Sequence, residues 1–375
     1  MDTQFNTQVD IKFETIIECI KKSDLSFYEF KLEDILKLIT SSDEKSAINY
    51  MIKQHYYKDN SKQYLKNIVS YLQELKLPEQ RSPEWYELRK GLLTASSLAS
   101  ALGHDHFKSR EQLIYDKTSI EEVPYVSNPI TEWGVKYEEI ATKFYEYLNN
   151  VKIIEFGLIP HREFKIFGAS PDGICSNDSP YDYIGRMLEI KCPPKRKFTK
   201  TVPKHYWYQM QGQLECCNLD ECDFLQVKLL EYKDYDEYSK DICKLNDEIK
   251  WGYTKNEFPK GCTFSYRKKD ELKLTYIYPD FFKTDDEYKK WIDDQIIDIK
   301  EQGHEYVEAK WWKIERYECT LVKRDKGWWS ETTELIFKFW KDVQYYKEHP
   351  EERKNLKTKR KYVNNDISKV EECLL

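Results

Sequence analysis

Apolar residues recur at helical spacing through the first 77 residues: Ile11, Ile16, Ile17 and Ile20, then Leu32, Ile35, Leu36 and Leu38, then Tyr64, Ile68, Tyr71, Leu72 and Leu75. No residue there belongs to a chemical motif, so the segment reads as a helical extension for packing or partner contact. Pro78 ends the pattern. Ser82-Pro83-Glu84 then starts a helix, serine as the cap and proline at the first position. The spacing turns Trp85 and Leu88 inward and brings Arg89 near the helix end before Gly91. Thr94-Ala95-Ser96 opens a second helix. From Ile130 to Leu148, Trp133, Tyr137, Ile140, Ala141, Phe144 and Leu148 mark one face of a strong helix, with Glu138 at its margin.

Strand-like runs follow at Val151 to Ile159 and Glu163 to Phe167, and another ends at Lys191. A helix from Pro203 to Cys217 turns Trp207, Met210, Leu214 and Cys217 one way and Tyr206, Gln209 and Gln213 another. Gly212 inside it predicts a neighbouring backbone passing close. Phe224 to Leu230 reads as a buried strand. Residues 232–304 are densely charged, with helices predicted at Tyr238 to Lys250 and Asp285 to Lys300 around an alternating stretch, Leu272 to Tyr278. Sheet pattern returns at Tyr306 to Val322, then an amphipathic helix at Leu335 to Val343. The expected fold is α/β (α+β), a central mixed sheet flanked by helices. Its parts are a helical region 1–77, a core 78–231 closed by a strand and helix at 305–347, an insertion or subdomain 232–304, and a basic tail 348–375. That tail, with Lys354, Lys357, Lys359, Arg360 and Lys361, reads as a solvated end in preference to a nucleic-acid contact or nuclear address.

Composition narrows this. Of 375 residues, 34% are charged and 15% aromatic, which describes a polar surface over a folded interior. The net charge of −6 makes a general nucleic-acid coat untenable, so phosphate binding needs a local cluster. Ten cysteines show no CxxC pair, and even Cys216, Cys217 and Cys222 read as buried thiols in a reducing compartment before a zinc site. The start, MDTQFNTQVD, lacks a basic region and a long apolar run. Nowhere do about 18 apolar residues run together, so the expectation is an intracellular protein that does not span a membrane.

The stretch GASPDGICSNDSPYDYIGRMLEIK, Gly168 to Lys191, carries the chemistry. Asp172 follows Ser170-Pro171 in a turn, and Glu189-Ile190-Lys191 ends an apolar strand, so Glu189 and Lys191 share a face while Ile190 enters the core. Carboxylates of Asp172 and Glu189, Glu138 as a third, and the Ile190 carbonyl are hard donors that suit Mg²⁺ or Mn²⁺. Lys191 beside such an ion orients water and offsets charge on a phosphorane, the apparatus for phosphodiester hydrolysis. After Pro193-Pro194, Lys195, Arg196, Lys197, Lys200 and Lys204 form a basic loop at the end of that strand, and phosphate-backbone contact is favoured there over a solvated face. Arg89 beside the Thr94-Ala95-Ser96 helix start fits a phosphate clamp and an ordinary capped hairpin equally well.

Taken in order, WYELRKGLLTAS, WGVKYEE, GASPDG, LEIKCP and YWYQMQ resemble the lambda-exonuclease or YqaJ viral-recombinase branch of the PD-(D/E)XK nuclease superfamily. The resemblance covers roughly Arg81 to Leu230, with a closing strand and helix in KWWKIERYECTLVKRDKGWW and after it. It implies a restriction-endonuclease-like core, with Asp172 and Glu189 holding Mg²⁺, Glu138 near the metals and Lys191 catalytic. Gln209 assists the site, and Arg89, Ser96 and Ser170 bind a terminal phosphate. Where the phage enzyme has an acidic residue before SPDG, this chain has Arg162, with Glu163 adjacent. The implied activity is a Mg²⁺-dependent double-strand DNA exonuclease acting from the five-prime end in viral-type recombination or end processing. An endonuclease with the same site is the alternative, and a DNA-end-binding or assembly protein is the reading from another class. Implied partners are duplex ends, a single-strand annealing protein and further copies of the chain; a viral source would place it in the host cytoplasm or nucleus.

Overall fold

The computed structural model describes residues 62–119, 128–195, 198, 200–246 and 248–356. The helices expected before residue 62, Arg196 and Lys197 of the basic loop, and the tail from Lys357 onward lie outside them. Residues 1–68 and 69–375 are separate compact units, and the second contains the sheet and its helices.

Helix α1 (Pro83–Lys90) starts as its sequence requires: Ser82 Oγ accepts the Trp85 N–H at 3.2 Å, with Pro83 inside the first turn. Strand β1 (Leu93–Thr94) leads through a 3₁₀ turn, Ala95–Ser97, into the four-residue α2 (Leu98–Ala101), so the expected second helix is a brief turn and a stub. Then come α3 (Arg110–Thr118), α4 (Pro129–Asn149), β2 (Ile153–Ile154), β3 (Ile159–Pro160), β4 (Phe167–Ala169), β5 (Gly173–Cys175) and β6 (Met187–Lys191). Helix α5 (Lys204–Cys217) crosses to β7 (Glu221–Glu231). Residues 232–304 hold α6 (Tyr235–Lys240), β8 (Cys243–Leu245), β9 (Glu248–Lys250), β10 (Lys260–Arg267), β11 (Leu274–Ile277) and α7 (Asp285–Glu301). The 19-residue β12 (Glu305–Lys323) and α8 (Lys326–Glu348) close the fold.

Seven strands form one mixed sheet in the order β11-β10-β12-β7-β6-β5-β2. Among the described strands of this sheet only β6 and β7 pair in parallel, which calls for a crossover such as the helix that connects them. The expected mixed sheet flanked by helices is therefore present, and β10 and β11 extend it through β12, with Gly261 opposite Trp312. On one face, Leu188, Ile190, Leu225 and Val227 pack against Tyr137, Ile140, Ala141 and Phe144 of α4. A second core joins Leu93, Phe167, Ala169 and Cys216 to Trp329, Ile336, Phe339 and Val343 of α8. No helix among the described residues is long and apolar enough to cross a membrane.

Several local expectations change. Leu88 and Leu148 are 39% and 40% exposed, because each lies near a helix end where the packed face runs out. The helix expected over 238–250 stops at Lys240, and Asn246, at φ 50°, turns the chain into the β8–β9 hairpin; asparagine tolerates that left-handed backbone better than most residues. At Gly212 the close neighbours are side chains, not backbone: an added Cβ would sit 2.9 Å from Phe167 Cζ and 3.1 Å from Ala95 Cβ.

Two glycines separate backbone space from helix propensity. A Cβ on Gly157 would lie 2.1 Å from the Pro78 carbonyl oxygen, whereas nothing lies within 4 Å of one on Gly134 in α4. Gly157→Ala should cost about 1–3 kcal/mol or more, as overpacking against fixed backbone does. Gly134→Ala should add about 0.5–1 kcal/mol. Denaturant unfolding of both variants checks the pair, and equal effects would contradict it.

Candidate active site

Asp172 and Glu189 meet because one strand pairing stops early. The β5–β6 ladder ends at Gly173 opposite Leu188, and a Cβ on Gly173 would lie 2.2 Å from Ile153 Cγ2. Beyond the ladder, the Ile190 N–H needs another acceptor. It donates to Asp172 Oδ2 at 2.6 Å, which ties the SPDG turn to the end of β6. Alternation does the rest: Leu188 and Ile190 enter the core beneath α4, and Glu189 and Lys191 face α5.

Glu189 is fully buried, at 0% exposure. Its Oε1 accepts from Lys191 Nζ and from Gln209 Nε2, the latter at 2.7 Å, and its Oε2 accepts from Gln213 Nε2 at 2.7 Å. Burial alone would lower the Lys191 pKa, but the carboxylates of Glu189 and Asp172 raise it, so the amine stays an ammonium. That ammonium lies 5.1 Å from the centre of the Tyr206 ring. Asp172 is driven the other way. Burial first, then the charges of Glu189 and Glu138, lift its pKa well above the carboxylate range against the pull of Lys191 and the Ile190 N–H.

Glu138 looks into the same space from α4 but is committed to Arg81, whose Nη2 donates to Oε1 at 3.0 Å and to Oε2 at 3.1 Å. Burial raises the Glu138 pKa, and Arg81 and Lys191 oppose it. The donor set therefore suits a hard cation: three carboxylates crowd one space, and Gln213 Oε1 is buried there without a donor. As the side chains stand, however, no three His, Cys, Asp or Glu among the described residues are gathered within coordinating reach. Asp172 and Glu189 form the pair, while Glu138 is held back by its guanidinium.

Beside the carboxylates is a cavity of 180 Å³ lined by Arg89, Ser96, Ser170, Asp172, Gln209 and Gln213 among others. Arg89 Nη2 donates to Ser96 Oγ at 3.2 Å, its guanidinium lies 4.2 Å over the Trp85 ring, and Trp85 Nε1 donates to Ser170 Oγ at 3.1 Å. The residues named for a phosphate clamp thus share one wall, with Trp85 joining them. A groove of 720 Å³ shares Arg81, Glu138 and Asp172 with that cavity and is lined further by Glu155, Lys268 and Lys273. Lys195 is exposed at the start of the basic loop. Arg162 lies 4.4 Å over the Tyr71 ring, and the Glu163 main chain donates to His161 Nδ1 at 3.1 Å.

Sequence placed Gln213 on the face of Gln209 but gave it no role; its position one turn further along α5 was the available signal. Arg81 carried no signal, since its partner is 57 residues away. Glu155 went unnoticed too, although burial and the nearby Glu139 and Glu138 raise its pKa. The cysteines Cys216, Cys217 and Cys222 are buried free thiols, and burial pushes Cys217 up to about 12.

Residues 84–220, which span α1 to the start of β7 and hold Arg89, Glu138, Asp172, Glu189, Lys191 and Gln209, match the model of the YqaJ-like viral recombinase domain. Over that stretch the chain is similar to the family. Among relatives, "Uncharacterized protein R354" of Acanthamoeba polyphaga mimivirus is 30% identical over 361 residues, covering 88% of this chain and 64% of its own length. A protein of African swine fever virus (strain Badajoz 1971 Vero-adapted) is 26% identical over 161 residues, 36% of this chain and 46% of that protein. The chain thus spans less than two thirds of either relative. Among solved structures, the alkaline exonuclease LHK-Exo from Laribacter hongkongensis is 20% identical with a TM-score of 0.41, covering 73% of this chain and 98% of that one.

The crowding of the YqaJ-like site has a cost that pH reveals. A folded Asp172 holds its proton to higher pH than the unfolded chain does, near ~4. Over that window the native state binds more protons, so stability falls as pH rises. Asp172→Asn should therefore melt a few degrees above wild type at pH 8 in chelator, with a smaller gain at pH 5. Calorimetry at the two pH values reads this, and a lower melting point at pH 8 would contradict it.

Proposed function

We propose that this chain is a divalent-cation-dependent deoxyribonuclease that hydrolyses duplex DNA from a phosphorylated five-prime end. One observation carries the reading: the cavity walled by Arg89, Ser96 and Ser170 also has Asp172 and Gln209 in its wall. An anionic chain end held by the first three residues would lie against Asp172. A closed circle offers no such end.

Asp172, Glu189 and the Ile190 carbonyl would hold Mg²⁺, with Mn²⁺ as a substitute, and Glu138 would join them once freed from Arg81. The ion supplies an activated water and a charge to balance the phosphorane. Lys191, held as an ammonium by these carboxylates in the cation-free protein, would offer a positive charge to the attacked phosphate. Gln209 and Gln213 fix the Glu189 carboxylate in one orientation. Arg89, lying over the Trp85 ring, would offer N–H donors to the terminal phosphate, and Ser96 and Ser170 would add hydroxyls.

The assay uses the purified chain, Mg²⁺, linear duplexes with and without five-prime phosphates, and a closed circle. Progressive loss of linear DNA alone, faster with the phosphate, is expected. Lys191→Ala should slow it by about 10²-fold or more. Arg89→Ala should abolish the preference for the phosphorylated end. Nicking of the circle would replace the exonuclease with an endonuclease, and tight end binding with no nucleotide release in Mg²⁺ or Mn²⁺ would replace the enzyme with an end-binding protein.

A further inference from the structure

Arg81 has three features that its place ahead of a helix cap does not explain. Its backbone is left-handed, at φ 69°, a conformation that costs a residue other than glycine about 1–2 kcal/mol. Its guanidinium spends one nitrogen on both oxygens of Glu138, a looser arrangement than the two-nitrogen fork arginine offers a carboxylate. It also lines both the 180 Å³ cavity and the 720 Å³ groove, so a nucleic-acid strand reaching from one into the other passes the Arg81–Glu138 pair.

The pair is neither sealed nor idle. The two side chains are 35% and 37% exposed, within reach of an arriving anion. Glu138 meanwhile lines both spaces together with a second acid, Asp172. Pulling Arg81 away with nothing in its place would leave that carboxylate among other acids without its main counter-charge. The bond should therefore open only when a second cation reaches Glu138 and a second anion reaches Arg81.

We propose that Arg81 is an exchangeable counter-ion: paired with Glu138 in the free protein, it passes to a phosphodiester of the bound strand and releases Glu138 to the divalent cation. The inference rests on the nuclease reading above. It makes DNA and cation each strengthen the other's binding, since each supplies the partner the other displaces. Arg81 is a positioning residue in this role, and its signature is in binding as well as in rate.

Binding of Mn²⁺, followed by the electron paramagnetic resonance of the free ion, tests this with and without a five-prime-phosphorylated duplex whose phosphorothioate linkages resist hydrolysis. In wild type the duplex should raise Mn²⁺ affinity by about 5-fold or more. Arg81→Ala and Arg81→Gly should bind Mn²⁺ more tightly than wild type without DNA, bind the duplex more weakly, and lose the mutual enhancement. Arg81→Gly also relieves the left-handed backbone, so agreement between the two variants assigns the effect to the guanidinium. Arg81→Lys, which keeps the charge, should retain part of the enhancement. Variants with wild-type Mn²⁺ affinity and undiminished enhancement would overturn the role of Arg81 while leaving a cleaving enzyme intact. A wild type that neither binds Mn²⁺ nor releases nucleotides would overturn the nuclease reading and this inference together.

Discussion

Glu189 is a carboxylate with no solvent exposure, and much of the surrounding architecture follows from keeping it there. An unpaired charge at that depth costs several kcal/mol, so each oxygen must meet a donor. The strand provides one through its own period, since Lys191 lies two residues along on the same face. Helix α5 provides two, Gln209 and Gln213, which requires it to approach β6 closely. Gly212 lets the same helix lie against Phe167 and Ala95. The same contacts that make the charge bearable also fix its direction.

The remaining carboxylates are not neutralised to the same degree. Asp172 gains a main-chain N–H and the attraction of Lys191 yet remains reluctant to ionise, and Glu138 relies on Arg81. A fold optimised for stability alone would not gather three acids in one space. The surplus negative charge is where a divalent cation would return stability to the protein. Around this centre, β12 acts as a spine, pairing with β7 on one edge and β10 on the other. It thereby holds residues 260–277 to the core sheet, where Lys273 and Tyr276 on and beside β11 face the groove that passes Asp172.

The parts legible in the sequence were those with local causes. The cap at Ser82, the long face of α4 and the strand ending before Pro193-Pro194 each follow from a few neighbouring residues. Alternation alone was enough to put Glu189 and Lys191 together. What stayed hidden had distant causes or no period. Strand β10 is buried on both faces along most of its length, so it shows no alternation and was not foreseen. The Arg81–Glu138 pair joins a turn to a helix far along the chain, and Glu155 gains its altered environment only from the acids that α4 brings beside it. Gln213 was visible as a face but not as a donor, because its partner lies on another element.

Everything proposed for this site requires Asp172 and Glu189 to be one cation site and not an incidental pair of buried acids. Anomalous diffraction from crystals grown in Mn²⁺ tests that most directly. A peak shared by the two carboxylates, and absent from crystals of Asp172→Asn, is the predicted result. A well-ordered site with no anomalous density at saturating Mn²⁺, Lys191 still seated on Glu189, would contradict it.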